Sequence, residues 1–329
     1  MSGHTAVVRF KQNGVKKMTL WVVYLVLALF ALVRGSGMFV TGAKQVGASL
    51  GMSKFSIGVL IVGFGTSLPE FASSVAAALS GSTEIVVANA VGSNITNILL
   101  IVGMLSVIGG NVFIKRDLLK TELPVFFIST TIFIAIVFDG SVDRVEALLL
   151  LGTFLSYVWY LFVDSASEHS NDSEQQTNRP GIEAKSIYYI VLGVAAVLIG
   201  AHYTVEMVVN IATTLEVPIG LVSIAAIALG TSLPELFVSL RAIKDGEAEL
   251  AIGNIFGSNA FNMLIVVSIP ALITPLVVDE VVMQLGLKVL IAASAIFFVT
   301  GLAKQVMRWE GMMMLMFFLF FIAKLASFL

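Results

Sequence analysis

Two carboxylates stand where the surrounding residues leave little room for charge. Glu70 closes the hexapeptide "GTSLPE" at 65–70, inside an apolar run from about Phe55 to Leu79. Glu235 closes an identical hexapeptide at 230–235, also inside an apolar run. Of the 21 acidic residues, these two alone fall deep within apolar stretches long enough to cross a bilayer. A carboxylate at bilayer depth costs about 2.5–3.5 kcal/mol on insertion scales, so an intramembrane Glu is a functional candidate by default. The plain alternative is a structural, hydrogen-bonded Glu, which two copies in one sequence context make a poor account.

The other residues of the hexapeptide point to the same chemistry. Proline lacks an N–H and clashes with the carbonyl four residues back. Pro69 therefore loosens the carbonyl of Gly65 and its neighbours, and Pro234 does the same at Gly230. Broken backbone at membrane depth is tolerated where it lines a cavity or is buried in protein. Each motif thus offers one carboxylate, loose carbonyls and two hydroxyls, all hard oxygen ligands. Calcium takes 6–8 oxygens in flexible geometry. Two carboxylates supply up to four, and the carbonyls of Thr66 and Thr231 bring the total to about six. Two negative charges also match one divalent cation. Transition metals suit the set less well, since no sulfur and no suitably placed imidazole accompany it. An ordinary proline kink is the competing reading of Pro69 and Pro234.

A second motif lies downstream of each hexapeptide. In "NAVGSNITN" (89–97), Asn89, Ser93 and Asn97 recur every fourth residue and share one helix face. "NIFGSNAFN" (254–262) repeats this with Asn254, Ser258 and Asn262. Gly92 and Gly257 would let a neighbouring helix approach closely. Asn89, Asn94, Asn254 and Asn259 read mainly as interhelical glue. Ser93, Asn97, Ser258 and Asn262 read as facing the glutamates, beside which small monovalent cations could sit.

These residues need a membrane scaffold, and the composition supplies one. The 329-residue chain is 58% hydrophobic and 12% charged, with a mean hydropathy of +0.98. Soluble domains are nearer a quarter charged. A net charge of −2 carries no basic footprint for nucleic acid. The absence of cysteine excludes disulfides and thiolate metal sites, and three scattered histidines make no zinc cluster. A span needs roughly 20 apolar residues. That rule gives ten, near 19–41, 55–80, 84–109, 121–138, 145–163, 186–209, 218–242, 249–273, 284–302 and 309–328. The polar, acidic stretch 164–185 separates two sets of five and reads as a flexible tether.

The two sets repeat. Glu70 and Glu235 are 165 residues apart, as are Asn97 and Asn262, and Glu84 and Glu249. Two motifs in one ungapped register define an internal repeat. Five spans per half, an odd number, make the second half enter the membrane from the opposite side, an inverted repeat of the kind secondary transporters use. The expected fold is an all-α polytopic membrane protein of ten transmembrane helices, with helices 2 and 7 discontinuous. Residues 1–163 form the first repeat, 164–185 a cytoplasmic linker and 186–329 the second repeat. Lys and Arg counts in the loops put that linker in the cytoplasm and both termini outside a cytoplasmic (inner) membrane. Arg9, Lys11, Lys16 and Lys17 run against that assignment, and Met18 could begin the protein, so residues 1–17 read as a start-site extension. Glu206 and His202 lie near a span end and read as interfacial. The terminal "MMMLMFFLFF" reads as lipid-facing surface.

The paired "GTSLPE" hexapeptides, each followed by "GSNxxN", resemble the alpha repeats of the cation/calcium exchanger superfamily, above all its prokaryotic sodium/calcium antiporters. The resemblance covers nearly the whole chain. It implies a central calcium site from Glu70, Glu235 and the carbonyls of Thr66 and Thr231. It implies sodium sites using Ser67, Ser232, Ser93 and Ser258 with carbonyls near Gly63 and Ala228, flanked by Asn97 and Asn262. Some members of the superfamily, including potassium-dependent exchangers, carry Asp where Asn262 stands. Two carboxylates in place of three speak against potassium dependence and leave the sodium stoichiometry open.

The resulting expectation is Na⁺/Ca²⁺ antiport by alternating access. It needs no cofactor and no obligate protein partner, only the two ions and the bilayer. An H⁺/Ca²⁺ antiporter using the same glutamates is the alternative. A cation channel fits less well, because the polar groups cluster at mid-span instead of lining a continuous path. An intramembrane enzyme lacks any Ser–His, Cys–His or HExxH constellation.

Overall fold

The computed structural model describes residues 2–114, 116–120, 122–170, 181–215 and 230–327. Eleven described helices build the ten spans. They are α1 (Ser2–Ser49), α2 (Lys54–Thr66), α3 (Leu68–Leu79), α4 (Glu84–Gly109), α5 (Glu122–Val137) and α6 (Arg144–Ser170) in the first half. The second half holds α7 (Ala184–Thr214), α8 (Leu233–Lys244), α9 (Ala248–Ile273), α10 (Val282–Leu302) and α11 (Arg308–Ala326). Nine of the ten apolar runs read from the sequence coincide with these helices, and the described end of the seventh coincides with α8. The main differences are at the ends: α1 extends well beyond 19–41, and α6 continues through Ser170 into the stretch expected to be linker. Residues 171–180 of that linker and the first half of the seventh span, with Ala228, lie outside the described residues.

Burial separates the helices into a core and a periphery. The apolar stretch of α9 is 83% buried and that of α4 is 72% buried, against 17% for α1 and 28% for α7. The helices carrying the asparagine–serine stripes are therefore central, as polar groups withheld from lipid must be. The Met-rich end of α11 faces outward as expected, with Met313, Met316 and Leu319 well exposed and Phe318 and Phe321 turned inward.

Two short antiparallel ribbons record the inverted repeat. β1 (Val112–Phe113) pairs with β4 (Gln305–Val306), and β2 (Ser141–Val142) pairs with β3 (Leu276–Val277). Val112 lies opposite Val306, and Ser141 lies opposite Val277. A shift of 165 residues carries Val112 onto Val277, and takes Val306 back onto Ser141. The same pairing thus occurs twice, with the halves exchanging roles.

Close helix contacts rest on glycine. α1 and α7 run antiparallel, and a Cβ at Gly193 would stand 2.5 Å from the Phe39 nitrogen. α2 presses on α9 equally tightly, since a Cβ at Gly257 would stand 2.4 Å from the Val59 carbonyl oxygen. The close approach expected of Gly257 is therefore real. The repeat-related partner of Gly92 would fall outside the described residues.

Candidate cation-binding site

The second span breaks at the hexapeptide. α2 ends at Thr66, α3 starts at Leu68, and their axes diverge by 44°. Ser67, with φ −87° and ψ 9°, is the joint, and Pro69 occupies the first turn of α3. A first-turn proline loses no helical hydrogen bond, because that N–H has no partner in any helix. Ser232 (φ −87°, ψ 1°) and Pro234 stand identically at the start of α8. The prolines therefore begin new half-helices more than they kink old ones. Glu70 and Glu235 consequently sit in the first turn of α3 and α8. The unpaired N–H groups there favour negative charge.

Both glutamates are completely buried. Asn89 Nδ2 donates to the Glu70 carbonyl at 3.1 Å and to Ser74 Oγ at 2.9 Å. Asn254 Nδ2 donates to the Glu235 carbonyl at 3.4 Å and to Ser239 Oγ at 2.7 Å. These two asparagines are the expected glue: each fastens its own broken helix through the backbone beneath the glutamate.

The carboxylates look across the repeat boundary. Ser67 Oγ donates to Glu235 Oε1 at 3.0 Å. Thr66 and Ser258 also face Glu235, while Thr231 and Ser93 face Glu70. Thr66 Oγ1 reaches Asn254 Oδ1 at 3.2 Å and Ser258 Oγ at 3.4 Å, and Ser93 and Thr231 hydroxyls stand 3.4 Å apart. The Gly63 carbonyl accepts from Thr66 Oγ1 and from Ser258 Oγ, each at 3.2 Å. Asn97 Nδ2 donates to Asn259 Oδ1 at 3.3 Å. Asn259 thus joins the site's own network, a role the sequence reading did not give it.

Among the described residues, several buried polar atoms here lack a hydrogen bond of good geometry: both oxygens of Glu70, which the Thr231 and Ser93 hydroxyls face, Oε2 of Glu235, Ser232 Oγ, Asn97 Oδ1 and both terminal atoms of Asn262. A buried carboxylate left without donors costs far more than a satisfied one. Almost all these orphan atoms are oxygens, so the group that would satisfy them is a hard cation. Of the twelve expected site residues, Thr66, Ser67, Ser258 and Glu235 meet through their side chains, Ser93 and Thr231 face Glu70, and Asn97 is tied to Asn259, while Ser232 and Asn262 make no side-chain hydrogen bond among the described residues. Gly63 contributes its carbonyl from α2. Ala228 lies outside the described residues.

Two features escaped the sequence reading. Residues 58–63 and 96–102 are π-helical, so α2 is underwound just before the joint and Asn97 sits on a bulge in α4. The repeat-related stretch of α9 is plain α-helix. Such bulges cluster at functional sites. Glu122 is also buried, at the start of α5 and so at the edge of its apolar run. It pairs with Arg116 Nε at 2.8 Å, and that guanidinium lies 5.4 Å over the Phe55 ring. Arg116, six residues earlier, was the available signal. This paired carboxylate contrasts with Glu70, which forms no ion pair among the described residues.

The profile of a family described as sodium/calcium exchanger protein matches residues 20–163 and 185–325. The chain is 33% identical to "Sodium/calcium exchanger MaX1" of Methanosarcina acetivorans, over 92% of this chain and 97% of that protein. It is 34% identical to "Inner membrane protein YrbG" of Escherichia coli, over 85% of this chain and 88% of that protein. Among solved structures, the sodium-calcium exchanger NCX_Mj superposes with a TM-score of 0.79 at 30% identity, covering 93% of this chain and 99% of that one.

Proposed function

This chain belongs to the sodium/calcium exchanger protein family, and on that premise we propose that it is a secondary antiporter in which Na⁺ influx drives Ca²⁺ extrusion through one alternating-access site. The observation that carries the proposal is the pair of fully buried, repeat-related glutamates, three of whose four carboxylate oxygens lack a hydrogen bond among the described residues. Calcium would lie between Glu70 and Glu235, with the carbonyls of Thr66 and Thr231 completing its shell. Sodium would use the hydroxyls of Ser67, Ser232, Ser93 and Ser258 and carbonyls at Gly63 and Ala228, with Asn97 and Asn262 beside the centre.

Obligatory exchange follows from charge. Two carboxylates cannot cross an occluded, low-dielectric state unneutralised. One Ca²⁺ or several Na⁺ must occupy the site before access switches. An empty site stays put, so neither ion leaks alone.

The orientation proposal is that both termini lie outside and the 164–185 stretch lies in the cytoplasm. It draws support from a basic face. Lys44 and Lys54 flank Glu247 there, and Lys304 pairs with Asp117 at 2.9 Å. The chain has no cysteine. Single introduced cysteines in the loops, labelled by an impermeant maleimide in intact cells, read the sidedness directly. Labelling of a cysteine in 164–185 from outside would reverse it.

The function is tested by ⁴⁵Ca²⁺ uptake into sodium-loaded proteoliposomes, with choline outside and pH clamped on both sides. Uptake should require internal sodium. Uptake that ignores sodium and follows an imposed pH gradient would replace Na⁺ by H⁺ as the coupling ion.

A further inference from the structure

A second site lies on the bilayer side of the α1–α7 pair, away from the glutamates. The two helices touch closely at Gly200, where a Cβ would stand 2.8 Å from the Ala28 carbonyl oxygen. Toward the start of α1 they leave a groove of about 630 Å³ between them. Trp21, Tyr24 and Leu27 of α1 and Ile199, Tyr203 and Glu206 of α7 line it. The neighbouring Val205 points the other way, and its side chain packs against Gly230 at the ion-binding joint. Tyr203 and Glu206 are three apart and share a helix face that Val205 does not. The groove therefore opens to lipid, on the side of α7 remote from the cation path.

Its lining has a fixed chemical polarity. One end holds a half-exposed carboxylate, Glu206, among three aromatic rings. The other end is apolar, with Leu27, Ala31 and Ile199 along the floor. A carboxylate beside lipid requires a cation. Among the described residues its ion-pair neighbour is His202, whose Nε2 stands 3.8 Å away, beyond hydrogen-bond distance. Trp and Tyr faces attract organic ammonium groups, and Trp does so best. Aromatic rings with one wet end also mark the headgroup level of a bilayer.

We propose that this groove binds one phospholipid with a primary ammonium headgroup, its nitrogen on Glu206 and the aromatic rings, and its acyl chain along Leu27, Ala31 and Ile199. The occupant follows from charge complementarity and place. An anionic headgroup is repelled by Glu206, and a quaternary one offers the carboxylate no N–H. The lipid would bridge α1 and α7, the peripheral pair that packs on the core.

The test is native mass spectrometry of delipidated, detergent-solubilised full-length protein titrated with dioleoyl phosphatidylethanolamine, phosphatidylcholine or phosphatidylglycerol. The first phosphatidylethanolamine adduct should saturate at about five-fold lower lipid than the phosphatidylglycerol adduct. Glu206→Gln should erase that preference, and Trp21→Ala should weaken it, with thermal unfolding of each variant showing that the fold is kept. Equal binding of ethanolamine and glycerol lipids by the unaltered protein overturns the site. So does a preference that survives both substitutions, and equal binding of phosphatidylcholine overturns the primary-ammonium assignment.

Discussion

Ser67 Oγ donates to Glu235 Oε1 at 3.0 Å, while the repeat-related Ser232 Oγ makes no mirrored bond to Glu70 and has no partner among the described residues. The same imbalance recurs one layer away. Asn97 donates to Asn259, but the mirrored contact between Asn262 and Asn94 is unmade, and both terminal atoms of Asn262 are orphaned. The two halves are equal in sequence motif and unequal in conformation. The proposed alternating access would draw on this inequality, by having the two repeats trade conformations between its inward and outward states.

Ser67 and Ser232 should therefore respond differently to the same change. A hydrogen bond to a buried charged group is worth about 1.5–3 kcal/mol. Ser67→Ala should lower the unfolding temperature of cation-free protein measurably, and Ser232→Ala should leave it nearly unchanged. Equal losses in a thermal-shift assay without Na⁺ or Ca²⁺ would contradict the asymmetry. With saturating Ca²⁺ the difference should shrink, because the cation takes over the neutralisation of Glu235.

Removing either carboxylate should end calcium transport. Glu70→Gln and Glu235→Gln keep the side-chain volume and discard the charge that attracts the divalent ion. Both variants should fold, with cation-free stability equal to or above that of the unaltered protein, because a buried unpaired charge is removed. Wild-type-like ⁴⁵Ca²⁺ uptake in either variant would sink the central site. Ser93→Ala and Ser258→Ala, by contrast, should mainly raise the sodium concentration needed for half-maximal exchange.

On the basic face, Glu247 should give stability a pH-dependent leg. Burial alone would raise its carboxyl pKa. Hydrogen bonds and charge from Lys44 Nζ at 2.5 Å and Lys54 Nζ at 2.7 Å outweigh that and hold it below the ordinary value of 4.5. The unfolded chain then binds the proton more readily than the folded one. The stabilisation is complete above about pH 5 and is lost as pH falls through the depressed folded value. Unfolding temperatures of the wild type and Glu247→Gln should differ at neutral pH and converge toward pH 3. A gap that stays constant with pH would rule out the ion pairs as its origin. High salt should narrow the neutral-pH gap, since both lysines are partly exposed.

Gly257 tests the contact that holds α2 against α9. An added Cβ meets the Val59 carbonyl oxygen at 2.4 Å, so backbone must move. Gly257→Ala should cost about 1–3 kcal/mol by overpacking and should slow exchange by displacing the Gly63 end of α2. Gly152→Ala, mid-helix in α6 where an added Cβ meets nothing within 4 Å, serves as the control: it should leave exchange unchanged and cost no stability, with a gain of up to about 1 kcal/mol from helix propensity.

The sequence by itself determined the spans, the repeat and the candidate ligands, for one physical reason in each case. Spans are legible because the bilayer demands long apolar runs, and nine of these, with the described end of the seventh, coincide with helices. The 165-residue register is legible because the two halves keep identical motifs. Glu70 and Glu235 are legible because charge inside an apolar run is costly and is kept only for use. What only the tertiary structure decided is how those residues meet. That Pro69 opens a half-helix instead of bending one depends on the rotation at Ser67, which propensity does not specify. The crossing of Ser67 to Glu235 and of Asn97 to Asn259 joins residues more than 160 positions apart, set by how the inverted halves pack. The π-helical turns at 58–63 and 96–102 leave no mark in residue type, because an inserted residue shifts the helix face without changing composition. Nor could the sequence reveal that one repeat has closed its contacts and the other has not. Identical motifs carry identical preferences, and the packing of the two halves alone breaks the tie.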